Sequence, residues 1–171
     1  EICKEFPEGK GAEIGVYRGE FSKEILDIWN GTLYMIDLWD NVLEGYSDAS
    51  NQKGYFDGII KSVFTNIEGY ESRGIVIRAA SEKAVELFVN NSLDFVYIDA
   101  NHAYEYVSQD IDLWYPKVKK GGYLCGHDYI AIDWYNDPNF FPNGKDKHIY
   151  MGEFYNGVFG VNPAVDEFCK K

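Results

Sequence analysis

Short apolar runs alternate with longer stretches in which apolar residues recur every three or four positions. The run closing on Ile14 and Val16 reads as a buried strand, and Phe21, Ile25, Ile28 and Trp29 then repeat at helical spacing. Gly31 stops that helix, and Thr32-Leu-Tyr-Met-Ile36 forms a second strand ending in Asp37. Tyr55, Ile59 and Val63 beside Phe56, Ile60 and Phe64 predict a helix with a wide apolar stripe. Gly74-Ile-Val-Ile-Arg78 is a third strand, after which Ser81 is placed to cap a helix carrying Ala84, Val85, Leu87 and Phe88.

Leu93-Asp-Phe-Val-Tyr-Ile98 is a fourth strand closed by Asp99. Tyr104, Val107, Ile111 and Trp114 keep a helical period until Pro116, and Gly121-Gly-Tyr-Leu-Cys125 makes a fifth strand closed by Gly126-His127-Asp128. Asn162-Pro163 opens a last helix through Ala164, Val165 and Phe168. Strands alternating with helices predict an α/β, Rossmann-like, doubly wound fold with a mainly parallel sheet and helices on both faces. No repeat, low-complexity tract or linker divides the chain, so residues 1–171 read as one domain. Two irregular stretches, 40–54 and 129–150, break the pattern; the second carries Trp134, Tyr135, Phe140 and Phe141, which suit a substrate lid, and His148, which reads as solvated.

Composition narrows the partners. The chain is 46% hydrophobic with a formal net charge of −12, and no segment supplies the Lys/Arg-rich face that phosphate backbones require. A small molecule is the expected partner, and nucleic acid is not. Cys3, Cys125 and Cys169 are scattered without metal-ligand spacing, which favours a reducing, cytoplasmic setting. The sequence shows no apolar run of about 18 residues and no charged-then-apolar leader, so neither membrane insertion nor secretion is expected. A homo-oligomer stays open.

Polar residues gather where the strands end: Glu13 and Gly15, Asp37, Ala80 and Ser81, Asp99, and His127 with Asp128. In an open parallel sheet that edge is where ligands bind. The turn Lys10 to Ser22 offers Gly15 and Gly19 for a tight bend and close backbone approach, and Asp37 lies 18 residues beyond Gly19, near the spacing of an acid that binds ribose hydroxyls. The dinucleotide glycine fingerprint is incomplete, however, and Glu13 stands where a pyrophosphate would be repelled. A nucleoside bearing positive charge fits better. The NAD-dependent oxidoreductase reading is weakened further by the lack of a Tyr-x-x-x-Lys pair; a non-catalytic nucleoside-binding module is the other alternative.

Glu13-Ile-Gly-Val-Tyr-Arg-Gly19 and Asp37 resemble the first two motifs of class I S-adenosylmethionine-dependent methyltransferases. The runs Asp94 to Glu105, Asp110 to Trp114 and Lys120 to Tyr129 are similar to the metal-dependent small-molecule O-methyltransferases of the catechol and macrolide-sugar type. The resemblance implies S-adenosylmethionine held by Glu13, Gly15, Tyr17, Gly19, Asp37, Leu38, Ala80, Ser81 and Asp99. It also implies Mg²⁺ on Asp99, His127 and Asp128, with His127 replacing an expected carboxylate, and His102 as the base that takes the proton of an acceptor hydroxyl. Such enzymes carry a helix before the first strand and an antiparallel strand pair after the fifth. Only about ten residues precede Gly11, and no strand is evident near Lys171, so those elements are expected to be absent, lost by truncation or supplied by another subunit.

Overall fold

A computed structural model describes residues 1–40, 55–129 and 160–171. The predicted lid aromatics, His148 and most of the 40–54 stretch lie outside the described residues. A short helix α1 (Ile2–Glu5) precedes β1 (Lys10–Ile14), α2 (Glu20–Ile28), β2 (Thr32–Asp37) and α3 (Tyr55–Asn66). Then come β3 (Gly74–Arg78), α4 (Ser81–Ala84) running into a 3-10 turn, β4 (Leu93–Ile98), α5 (Tyr104–Trp114), β5 (Val118–Gly126) and α6 (Val161–Phe168). The sheet is parallel throughout in the order β3-β2-β1-β4-β5, the Rossmann-like arrangement that the alternation predicts. Among the described residues no strand follows β5.

Both sheet faces are covered, which is why the strands read as continuous apolar runs rather than alternating ones. On one face Leu33, Met35 and Phe95 pack with Ile25, Leu26 and Trp29 of α2 and its end, and with Ile59 and Val63 of α3. On the other, Ala12, Ile14, Ile36 and Val96 meet Ala84, Phe88 and Trp114. Helix α6 closes a smaller cluster against Val107 and Ile111 of α5.

Several local expectations shift. The buried stripe of α2 is Ser22, Ile25 and Leu26, continued by Trp29, whereas Ile28 is 77% exposed and Phe21 half-exposed. The chain is turned by one position relative to the predicted face, because Ser22 must reach Glu13 in β1. Phe64 and Leu87 likewise point outward, so α3 buries a narrower stripe than its composition suggests. Ser81 is not a cap: Ala80 holds that position, and the Ser81 hydroxyl is engaged elsewhere. In α6 the cap is Gly160, with Asn162 and Pro163 already inside the first turn, because Gly160 N–H donates to the His102 carbonyl at 2.6 Å and fixes the helix start. Arg73, rather than a glycine, satisfies the end of α2 by donating to the carbonyls of Leu26 and Trp29.

Candidate functional site

Strand order reverses between β1 and β4, and a cavity of about 770 Å³ opens there at the carboxyl ends of the strands. Its wall is built first by the turn after β1. Gly15 has φ +88°, and an added Cβ would stand 2.0 Å from the Asp99 carbonyl oxygen, so only glycine lets the two strand ends close up. Gly15 N–H donates to the Ile36 carbonyl and Asp99 N–H to that of Ile14, locking three strand ends together.

Asp37 does more than its sequence position announces. Its Oδ2 accepts the N–H groups of Val16 and Tyr17, both at 2.9 Å, and its Oδ1 accepts that of Trp39 at 2.9 Å. Three oriented N–H donors hold the β1 turn on the end of β2. An ionised carboxylate offers about four acceptor positions, which leaves one on Oδ1 for a ligand hydroxyl. Trp39, fully buried, donates its indole N–H to the Tyr17 carbonyl at 2.7 Å, and Tyr17 itself takes the left-handed conformation with φ 54°. Trp39 has no counterpart in the sequence reading; its place two residues after Asp37 is the available signal. Tyr17, Leu38, Ala80 and Ser81 line the cavity. Gly19 does not; it starts α2 at φ 78° and lies against Val63.

Glu13 is 2% exposed and accepts the Ser22 hydroxyl at 2.5 Å. Burial pushes its carboxyl up to about 8 against the opposing effect of the Ser22 bond, with Asp99 and Asp37 adding to the rise. At neutral pH it is largely a neutral acid in the cavity wall. Cys125 is no nucleophile: burial raises its thiol to about 11.

At one end of the cavity, which Asp99 and His102 line, the ends of β4 and β5 bring three side chains together. His102 Nε2 lies 2.9 Å from Asp128 Oδ2 and 3.4 Å from Asp99 Oδ1, with the imidazole only 16% exposed. Potential ligand atoms of Asp99, His102 and Asp128 all fall within 4.8 Å of one another. His127, expected as a metal ligand, touches Asp128 Oδ1 at 3.2 Å but is 61% exposed and outside that convergent group. Asp128 adopts φ 60°, which turns its carboxylate back toward His102. Asn101, not Asp99, accepts the Ala103 N–H before α5, leaving Asp99 free of helix capping.

The methyltransferase-domain family matches residues 12–129. A protein of Corynebacterium glutamicum shares the fold with TM-score 0.59 at 16% identity, over 96% of this chain and 63% of that one. The O-methyltransferase NovP shares it with TM-score 0.53 at 17% identity, over 90% of this chain and 68% of NovP. A stretch of 44 residues is 41% identical to an uncharacterized protein of Acanthamoeba polyphaga mimivirus, 26% of this chain and 20% of that protein. The chain thus spans less than two thirds of the Corynebacterium protein and a fifth of the viral one. The family match, reaching from Ala12 inside β1 to Tyr129 just past Asp128, takes in every strand end that builds the cavity, and the chain accordingly belongs to the methyltransferase-domain family.

Proposed function

We propose that the protein transfers the methyl group of S-adenosylmethionine to a hydroxyl of a small molecule. The observation that carries this reading is His102, held between two carboxylates at one end of a nucleoside-sized cavity whose other parts are the Gly15 turn and Asp37. Glu13 and the turn receive the amino-acid part of the donor, Asp37 a ribose hydroxyl, and Ala80 and Ser81 flank the base.

In the transfer, the acceptor oxygen forms a bond to the methyl carbon while the carbon–sulfur bond breaks, its electron pair returning to sulfur. The acceptor proton passes to His102, and Asp99 and Asp128 stabilise the resulting imidazolium. The donor carries its own leaving group, so the protein's contribution is alignment, worth up to roughly 7–11 kcal/mol, together with the proton transfer. Asp99 and Asp128 fit a divalent cation such as Mg²⁺, with an imidazole nearby that suits Mn²⁺ at least as well. A cation held there would make an acceptor hydroxyl more acidic. The net charge of −12 supports a small acceptor over a nucleic acid, and three free cysteines support a cytoplasmic setting. No helix among the described residues is long and apolar enough to cross a membrane.

Calorimetry with S-adenosylmethionine and with NAD, each with and without Mg²⁺, tests the reading. Binding of the methyl donor is expected. Tight NAD binding with no heat from the methyl donor would overturn it in favour of an oxidoreductase.

A further inference from the structure

Helix α6 lies beyond the residues matched by the methyltransferase-domain family, yet both of its ends are tied to the reacting end of the sheet. At its start, Gly160 N–H donates to the His102 carbonyl at 2.6 Å, and a Cβ at Gly160 would stand 2.3 Å from the Tyr104 nitrogen and Cα. Near its other end, Asp166 Oδ1 accepts the Tyr129 hydroxyl at 2.9 Å, and Glu167 accepts that of Tyr104. Between them, Val161 and Ala164 pack on Val107 and Ile111 of α5, with Ile98 of β4 and Leu124 of β5 against the same cluster. From Gly160 to Asp166 the helix is a stiff spacer of about 9 Å. It joins the backbone of the base to the residue that follows Asp128.

Asp128 needs such a hold. Its φ of 60° is a left-handed conformation that a residue with a Cβ keeps only where its surroundings impose it. On one side His127 N–H donates to the Ile98 carbonyl at 3.0 Å, and on the other Tyr129 is anchored through its hydroxyl to Asp166. Without the second anchor the backbone at Asp128 relaxes and draws its carboxylate away from His102 Nε2, which it meets at 2.9 Å.

We infer that α6 is a positioning element for the reaction: Gly160 and Asp166 fix the His102 backbone and Tyr129, and thereby hold the Asp128 carboxylate on the imidazole. Alignment supplies much of the rate in such a transfer, so a small misplacement of the base lowers it many-fold. The role in methyl transfer rests on the S-adenosylmethionine reading; the contact that α6 sets does not.

Nuclear magnetic resonance of protein isotope-labelled in its three histidines tests it, the His102 signals being identified by their loss in His102→Ala. Ionised Asp99 and Asp128 can only accept, so the neutral ring carries its proton on Nε2, and exchange of that proton with water reports how firmly the carboxylates hold it. Tyr129 and Asp166 are exposed, so their variants should fold. Tyr129→Phe and Asp166→Ala should each quicken the exchange about three- to tenfold, the ratio one modest hydrogen bond supplies, and the double variant should go no further. Asp166→Asn keeps an oxygen for the Tyr129 hydroxyl and should stay within about twofold of wild type. Unchanged exchange in Tyr129→Phe and Asp166→Ala, whatever their thermal stability, makes the helix merely structural and overturns the inference, and so does Asp166→Asn behaving like Asp166→Ala. Calorimetry with S-adenosylmethionine on the same samples keeps the two readings apart. Wild-type protein that binds no donor overturns the methyl-transfer reading, while the exchange rates still decide whether α6 sets the contact.

Discussion

Gly15 lies against the backbone of Asp99 so closely that a Cβ at position 15 would come within 2.0 Å of the Asp99 carbonyl oxygen. The neighbour is main chain and cannot swing aside. Gly15→Ala therefore combines a left-handed conformation, itself worth about 1–2 kcal/mol against a residue with a Cβ, with a backbone clash. We expect a loss of at least about 2 kcal/mol in urea unfolding and no measurable methyl-donor binding in whatever folded fraction remains. Wild-type affinity in this variant would show that the two strand ends need not be in contact.

Asp37 gives a different signature. Its carboxylate organises Val16, Tyr17 and Trp39, so Asp37→Ala removes the acceptor for three backbone N–H groups. The expected cost is about 1–3 kcal/mol in thermal or denaturant unfolding, with donor affinity falling at least tenfold as the turn loosens. Asp37→Asn keeps an acceptor oxygen but places an NH₂ near donors, and should fall between the two proteins. Full donor affinity in Asp37→Ala would remove Asp37 from the site.

Glu13 predicts a pH dependence. Its folded-state value, about 8, lies above the ordinary 4.5, so the folded chain holds this proton more tightly than the unfolded chain does. Its contribution makes stability fall as pH rises from about 4.5 to 8, levelling off above, with a total on the order of a few kcal/mol. Glu13→Gln should match wild type in stability near pH 4 and become progressively the more stable protein toward pH 9. A difference between the two that does not change with pH would mean that Glu13 is ionised inside the fold.

His102→Ala should lower kcat by about 10²–10⁴-fold while leaving S-adenosylmethionine affinity in calorimetry within about threefold of wild type. Equal turnover in the variant would assign the acceptor proton elsewhere. A protein that binds the donor yet shows no turnover before or after the change would be the nucleoside-binding module.

The order of elements was legible because strands buried on both faces are written as unbroken apolar runs, and each ends in a polar residue that the topology then collects. Asp37, Asp99 and Asp128 could be picked out for that reason. Individual helix faces were less readable: Ile28 and Phe21 fit a helical period, yet Ser22 is buried because a carboxyl in β1 awaits it, and periodicity carries no information about a partner in another element.

The chain alone therefore determined a parallel α/β sheet and the row of polar strand ends, since both follow from local pattern and spacing. Only the tertiary structure decided which of those groups meet. It set His102 between Asp99 and Asp128 and left His127 against Asp128 alone, turned Asp37 onto the backbone of a turn some twenty residues away, and joined Ser81 to Asp110 instead of leaving it to cap a helix. The physical reason is the same in each case. Burial removes water as a partner, so each polar group must find another across the fold, and which one it finds depends on how strands β1 to β5 are ordered.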